Sequence, residues 1–469
     1  MRNDGSTIGA VLCGYYQRGY QVSSVGYTGR KVADAYRKSS ASQGNMMNSK
    51  LVDILDYNTI AKLAKDPLYR NSFFMAFTSV FNAGCGFFFW MIAARLYTVE
   101  EVGLATALIS SLGLVILFSR LGFDFSIIRF FPTDDKATVF GTSLVITTIA
   151  SLLMGVIFIL LVRHHSPSLA FLNEPICTIA FLFIGVMNSV TAITGRAFFA
   201  NRNSEYYLFQ NIFIALRIPL LVPLAFLGTF GIFGSYGLSF LVASFFALVV
   251  IRRSIAAIRP EVSTDFIMKS LKFTSWNYVS SILSTAPTLI LPLMVLNILG
   301  EAEAAKYYIA FAIGNVVLII PNSLGTSLFV EGSHGVGLKK SAIRAGVASL
   351  ILLIPTVLAI FLFGDLLLGL LKAEYADAFD LLRVLALSSF LVSVYSLFIS
   401  IQNVRMKVES VLKLNALRCI LLLGLSYVLI QRYGILGVGY GWSITFTTIS
   451  LAIVWVMIKD GWVRTHCNL

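Results

Sequence analysis

About a dozen apolar runs divide this chain, and each has the ~20 residues that an α-helix needs to cross ~30 Å of hydrocarbon. They fall at 72–96, 103–121, 137–162, 176–200, 207–230 and 231–251, then at 271–298, 307–330, 341–363, 381–401, 411–431 and 435–458. Only short polar turns separate them, and no loop is long enough to hold a soluble catalytic domain. In lipid, every backbone N–H and C=O must be satisfied within the chain, so runs of this length read as helices. The composition agrees: 57% of the 469 residues are hydrophobic and 13% are charged, against roughly 25% charged in soluble proteins. The expected fold is an all-α polytopic membrane protein of about twelve transmembrane helices.

A net charge of +13 could suggest nucleic acid, but the placement of the charges points elsewhere. Of the 36 Lys and Arg, roughly 28 lie in the N-terminal tail and alternate loops, and about 5 in the opposite loops. That asymmetry is the positive-inside pattern; it puts both termini in the cytoplasm and favours an even number of spans. Nucleic acid is not an expected partner. The five cysteines (Cys13, Cys85, Cys177, Cys419 and Cys467) are odd in number and scattered, so no disulfide framework follows.

The two halves repeat. Sliding the sequence by about 203 residues places Leu96 on Leu299, Glu100 on Glu303, and Leu121-Gly122 on Leu324-Gly325. Ala215-Leu216-Arg217 recurs as Ala416-Leu417-Arg418, and Gly231-Ile232-Phe233-Gly234 parallels Gly434-Ile435-Leu436-Gly437. Six spans return the chain to the side on which it began, so the copies are parallel, and sites in such repeats tend to lie at the interface between copies. The expected organisation is a cytoplasmic tail over 1–66, a first lobe over 67–251, a basic connector over 252–269 and a second lobe over 270–469. In the tail, 51–63 fits an amphipathic surface helix, and Met46-Met47 resembles a translation start. The Leu-rich stretch 364–380 reads as a helix lying on the outer surface.

Charge inside hydrocarbon is costly and usually faces a cavity or a partner. Arg217 falls about ten residues into its span, near mid-depth. Two readings fit: an anion-binding group in a central cavity, or a hydrogen bond to carbonyls of a neighbouring helix. Arg418 lies about seven residues in, where snorkelling to the interface competes. Arg95 stands at the end of the first span beside Glu100 and Glu101, so an interfacial ion pair competes with a substrate role. No Asp or Glu falls in the middle of a span, which argues against coupling through an intramembrane carboxylate. The polar cluster Thr274-Ser275-Trp276-Asn277-Tyr278, continued by Ser280, Ser281 and Ser284, offers the hydroxyls, amides and aromatic faces that sugars need. Packing through small polar residues is the alternative, and Asn82, Asn188 and Asn315 invite the same pair of readings. Gly332 to Ser341 departs from a phosphate loop, because Leu338 stands where the lysine belongs. His164-His165 has no cysteine nearby, and neither a metal nor a cofactor is expected.

Arg95-Leu96, followed by Glu100-Glu101-Val102-Gly103 and preceded by Gly86-Phe87-Phe88-Phe89-Trp90, resembles the first hairpin of the oligosaccharide and polysaccharide flippases. These are the O-antigen-type translocases of the superfamily that also holds the multidrug and toxin extruders and the lipid II flippases. The resemblance covers roughly 67–460. It implies two six-helix lobes in a V, no enzymatic activity, and movement of a polyprenyl-phosphate-linked oligosaccharide across the cytoplasmic membrane. It further implies a cationic cavity for the diphosphate, to which Arg217 and Arg418 correspond; Arg95, Asn277, Trp276 and Asn82 are the further substrate-binding candidates that the residues themselves offer. Membrane lipids and glycan-assembly enzymes are the implied partners; an ion-coupled multidrug exporter is the alternative. The second hinge lacks the arginine, since Ile298 stands opposite Arg95.

Overall fold

A computed structural model describes residues 67–255, 261–333 and 337–459. Met1–Arg70 is set apart as one unit, of which only the helical turn 67–70 is described, and Asn71–Leu469 forms the other. The expectations for the tail, for its stretch 51–63 and for the His164-His165 side chains lie outside the described residues.

The described residues form fourteen α-helices and no strand. The first half contains α1 (Pro67–Leu96), α2 (Val99–Ser119), the short α3 (Phe123–Phe130), α4 (Lys136–His165), α5 (Pro175–Ala200), α6 (Ser204–Ala215), the single turn α7 (Arg217–Leu220) and α8 (Thr229–Ser254). The second half contains α9 (Thr264–Leu299), α10 (Glu301–Ser333), α11 (Leu338–Leu371), α12 (Phe379–Val404), α13 (Val408–Tyr433) and α14 (Ile435–Lys459). Eleven segments are long and apolar enough to cross a membrane. The fifth expected span is the exception: α6, α7, a turn and the 3-10 segment Ala225–Leu227 together take its place. Its break has a covalent cause, because Pro219 and Pro223 have no N–H to give the ladder.

Two further expectations change. The Leu-rich stretch after 363 does not lie on a surface but continues α11 to Leu371, ahead of the 3-10 segment Ala373–Ala378. The connector is shorter than drawn, since α8 runs to Ser254 and α9 starts at Thr264.

Apolar side chains cover the outside of the helices, and small polar ones are buried among the apolar side chains of the interior. Leu153, Leu160, Ile351 and Leu362 are exposed, whereas Ser110, Ser111, Thr147, Ser189 and Thr194 are buried. Many buried hydroxyls donate to the carbonyl one turn back, as Ser111 does to Ala107 and Thr147 to Ser143, each at 2.7 Å. Others pair between helices, as Thr191 with Ser244 at 2.8 Å and Ser349 with Ser393 at 2.7 Å. Such pairs contribute only about 0.6 kcal/mol each on average in a bilayer, so close backbone approach has to supply much of the cohesion.

The closest approach joins the two halves. A Cβ on Gly103 of α2 would lie 1.9 Å from the carbonyl oxygen of Glu301, so only glycine lets α2 meet the start of α10. The acidic pair in the first hinge is a helix start: Thr98 accepts from the Glu101 N–H at 3.3 Å, and Glu101 accepts from the Thr98 N–H at 2.9 Å. Around this hinge side, Arg95 donates to the Leu370 carbonyl at 2.6 Å and Lys372 donates to the Tyr97 carbonyl. Trp90 and Tyr308 pack with ring centroids 4.6 Å apart. At the opposite, connector side, α9 leans on the first half: Ser126 pairs with Ser270, Tyr278 donates to the Phe118 carbonyl at 2.7 Å, and Lys269 meets Asp134 at 2.6 Å. That lysine holds the Asp134 carboxyl below the usual carboxylate range.

Candidate functional site

A cavity of about 640 Å³ opens in the second half between α9, α10, α12 and α13. Its ends are set by Asn403 and Val408 at the connector side and by Arg418, ten residues into α13 (418 − 408), about 15 Å deeper. Asn277, Ser280, Ser281 and Ser284 come from α9, Asn322 and Thr326 from α10, Tyr395, Ser396 and Ser400 from α12, and Asn415 from α13. Arg418 is the one charged residue among its lining residues.

The cavity wall is hydrogen-bonded into shape. Tyr395 donates to Asn415 Oδ1, and Asn415 Nδ2 donates to Ser280 at 3.0 Å. The Arg418 guanidinium lies 5.2 Å from the centre of the Tyr395 ring and donates to the Ser284 carbonyl. Arg418 therefore turns toward the cavity, with Tyr395 and α9 as its seat, and does not snorkel. Its Nε is buried and has no hydrogen-bond partner among the described residues.

Two smaller cavities meet this one at Asn322. One, of about 290 Å³, runs between α1 and α10 past Asn82, Gly86, Trp90, Tyr308 and Asn315. The other, of about 500 Å³, is an apolar groove between the same two helices, lined by Val80, Ala83, Phe87, Val316 and Ile319 and sharing both Asn322 and Thr326 with the large cavity.

The six sequence candidates are not brought to one place. Asn277 and Arg418 share the large cavity. Asn82 lines the α1–α10 cavity and donates to Asn211 at 2.8 Å. Arg217 sits at the break in the fifth crossing, 5.0 Å from the Phe89 ring centre and 5.8 Å from that of Tyr236, behind Gly86. Arg95 belongs to the hinge-side closure, and Trp276 is 67% exposed on α9 without lining the cavity. The repeat register also shifts. Helices α6 and α13 begin 204 residues apart (408 − 204), and the positive-φ hinge glycines Gly228 and Gly434 lie 206 apart (434 − 228), yet the arginines are 201 apart (418 − 217). Arg217 therefore stands three residues farther from the start of α6 than Arg418 does from the start of α13. The matching tripeptides are not structural equivalents, and the equivalent of Gly434 is Gly228 rather than Gly231.

Sequence reasoning passed over Tyr395, Asn415 and Asn322, whose signal was a polar group inside an apolar run. It also passed over Arg120 and Arg196, which lie near span ends.

No family model matches the chain. A putative O-antigen transporter of Shigella flexneri is 25% identical over 193 residues, a stretch covering 40% of this chain and 46% of that protein, so the match spans about half of its length. Among solved structures, the lipid II flippase MurJ in an inward closed conformation superposes with a TM-score of 0.68 at 13% identity, over 82% of this chain and 88% of that one. An inward-facing multidrug resistance MATE family transporter of the MOP superfamily gives a TM-score of 0.65 at 16% identity, over 82% and 96%. All three are named as transporters or flippases. The chain thus resembles an O-antigen-type transporter in sequence, and its fold is that of the MOP-superfamily transporters.

Proposed function

We propose that this protein moves a lipid-linked, phosphate-bearing oligosaccharide across the cytoplasmic membrane for assembly of a surface glycan, with the second-half cavity holding the headgroup. The observation that carries this reading is the junction at Asn322 and Thr326, where a polar cavity with one guanidinium runs into an apolar groove. A diphosphate and sugars cannot enter hydrocarbon unaided, because stripping water from charged groups is very costly. A polar cavity that is open to an apolar groove suits a molecule with a wet headgroup and a lipid tail. Hydroxyls and amides from four helices suit sugar hydroxyls, and the Arg418 fork suits phosphate oxygens, to which it can donate two parallel hydrogen bonds. The O-antigen transporter relationship supports the same substrate class, and glycan-assembly enzymes are its natural partners. Translocation by alternating closure of the two halves follows, with Gly103, Arg95 and Lys372 holding the hinge side shut in the state described.

The multidrug exporters that share the fold offer the competing activity. A cavity whose lining has one guanidinium and no carboxylate is poorly matched to cationic drugs. The test is leaflet accessibility of a fluorescent lipid-linked oligosaccharide in proteoliposomes. Protein-dependent movement between leaflets is expected; ion-gradient-driven drug efflux with no glycolipid movement would replace this reading with the exporter.

A further inference from the structure

Four helices of the first half, α2, α5, α6 and α8, enclose a separate pocket of about 180 Å³. Arg120 and Arg196 both line it, together with Asn188, Gln210, Asn211 and Tyr207, and no carboxylate is among its lining residues. Asp124 lies 3.9 Å from Arg120 and offsets one charge, and Arg196 has no ion pair among the described residues. Two guanidiniums turned toward one small space repel each other, and a site of low dielectric magnifies that repulsion. An anion between them removes it.

The polar wall narrows the choice of anion. Gln210 is fully buried; its N–H groups are committed to the Thr191 carbonyl at 3.1 Å and to the Thr194 hydroxyl at 2.7 Å. Its Oε1 has no partner among the described residues and lies beside the wall residue Gly195. The buried Nε of Arg120 also has none. The pocket thus presents unused cationic donors together with one unused acceptor. Chloride satisfies only the first; a protonated oxyanion satisfies both. The volume suits an ion with a few waters and not a glycosylated diphosphate. Asn82 on Asn211, at 2.8 Å, forms the wall between this pocket and the cavity along α1.

We propose that this pocket binds one small inorganic oxyanion of the hydrogen phosphate class. Arg120 and Arg196 donate to its oxygens, and its O–H donates to Gln210 Oε1. The site is distinct from the cavity around Arg418 and does not depend on the transported substrate.

The test uses the full-length protein in detergent, in sodium gluconate at constant ionic strength, with melting temperature followed against inorganic phosphate. A saturable rise is expected in the wild type. Arg196→Gln should need at least about tenfold more phosphate, in line with the loss of one charge-assisted contact, and Arg196→Lys should fall between the two. Lys413→Gln, at an exposed lysine of α13 outside both cavities, should keep the wild-type response. No saturable rise in the wild type, or an unchanged midpoint in monodisperse Arg196→Gln, overturns the proposal. If Arg196→Gln does not fold, an unchanged midpoint in Arg196→Lys overturns it in the same way. A chloride midpoint equal to that of phosphate overturns the oxyanion assignment. A response to farnesyl diphosphate alone would give the charge pair to a lipid headgroup and likewise overturn it.

Discussion

In the fifth crossing Arg217 sits where the chain breaks, whereas in the eleventh Arg418 sits in an unbroken helix, although both follow the same Ala-Leu pair. The difference lies in what surrounds each backbone. Pro219 and Pro223 strip donors from the fifth crossing, and bonds there tighten to three-residue spacing, as from Ala225 to Val222 and from Gly228 to Ala225. The Leu221 carbonyl is taken up by the Tyr97 hydroxyl at 2.7 Å. Burial, and then Glu101, pushes that phenol up to about 12, so it stays a donor at physiological pH. Gly231 completes the seat, since a Cβ there would lie 2.1 Å from the Leu224 carbonyl. A broken crossing is thus stable in a bilayer only where partners catch its free carbonyls. The same local chemistry fixes each arginine: rings of Phe89 and Tyr236 hold Arg217, and the wall of an open polar cavity holds Arg418.

The sharpest way to break this contrast is to put a proline into the unbroken helix. Gly424 of α13 has open space around its Cβ position, so Gly424→Pro tests the backbone alone. With nothing provided to catch the Ile420 carbonyl, it should cost about 3 kcal/mol or more, read as a lower melting temperature or loss of monodisperse protein. Stability like that of the wild type would show that breaks need no partner here. Next in size, Tyr97→Phe leaves the Leu221 carbonyl without its donor and should cost about 1–3 kcal/mol. Hydrogen exchange should rise in 221–228 and stay unchanged in α13; uniform exchange across both would remove the local account. The smallest effect is expected at Trp276, which is exposed and outside the cavity. Trp276→Ala should change glycolipid movement less than about twofold, and a large loss would return that residue to the substrate path.

Hydropathy made eleven of the crossings and their order legible, because length and apolar content are what a bilayer selects. The break was not legible. Proline is common in membrane helices, and whether it breaks one depends on distant partners such as Tyr97, more than a hundred residues away in sequence. The repeat was legible in outline and misregistered in detail, since a three-residue match outweighed hinge glycines whose role is a backbone angle: φ is +55° at Gly228 and +58° at Gly434. The polar run in α9 did point to the cavity, but alternation around the helix put Asn277 inside and Trp276 outside. Depth alone set Arg217 above Arg418; the large cavity is lined by Arg418, and Arg217 packs between the rings of Phe89 and Tyr236.

The most direct measurement compares wild type, Arg418→Lys and Arg418→Gln for movement of a lipid-linked oligosaccharide between leaflets of proteoliposomes, each protein being checked for monodispersity and melting. A charge-assisted contact worth about 1.5–3 kcal/mol predicts a loss of roughly 10- to 150-fold in Arg418→Gln. Arg418→Lys should recover part of that activity, since it keeps the charge and loses the fork. A folded Arg418→Gln that moves the glycolipid at the wild-type rate would contradict the cavity as the headgroup site.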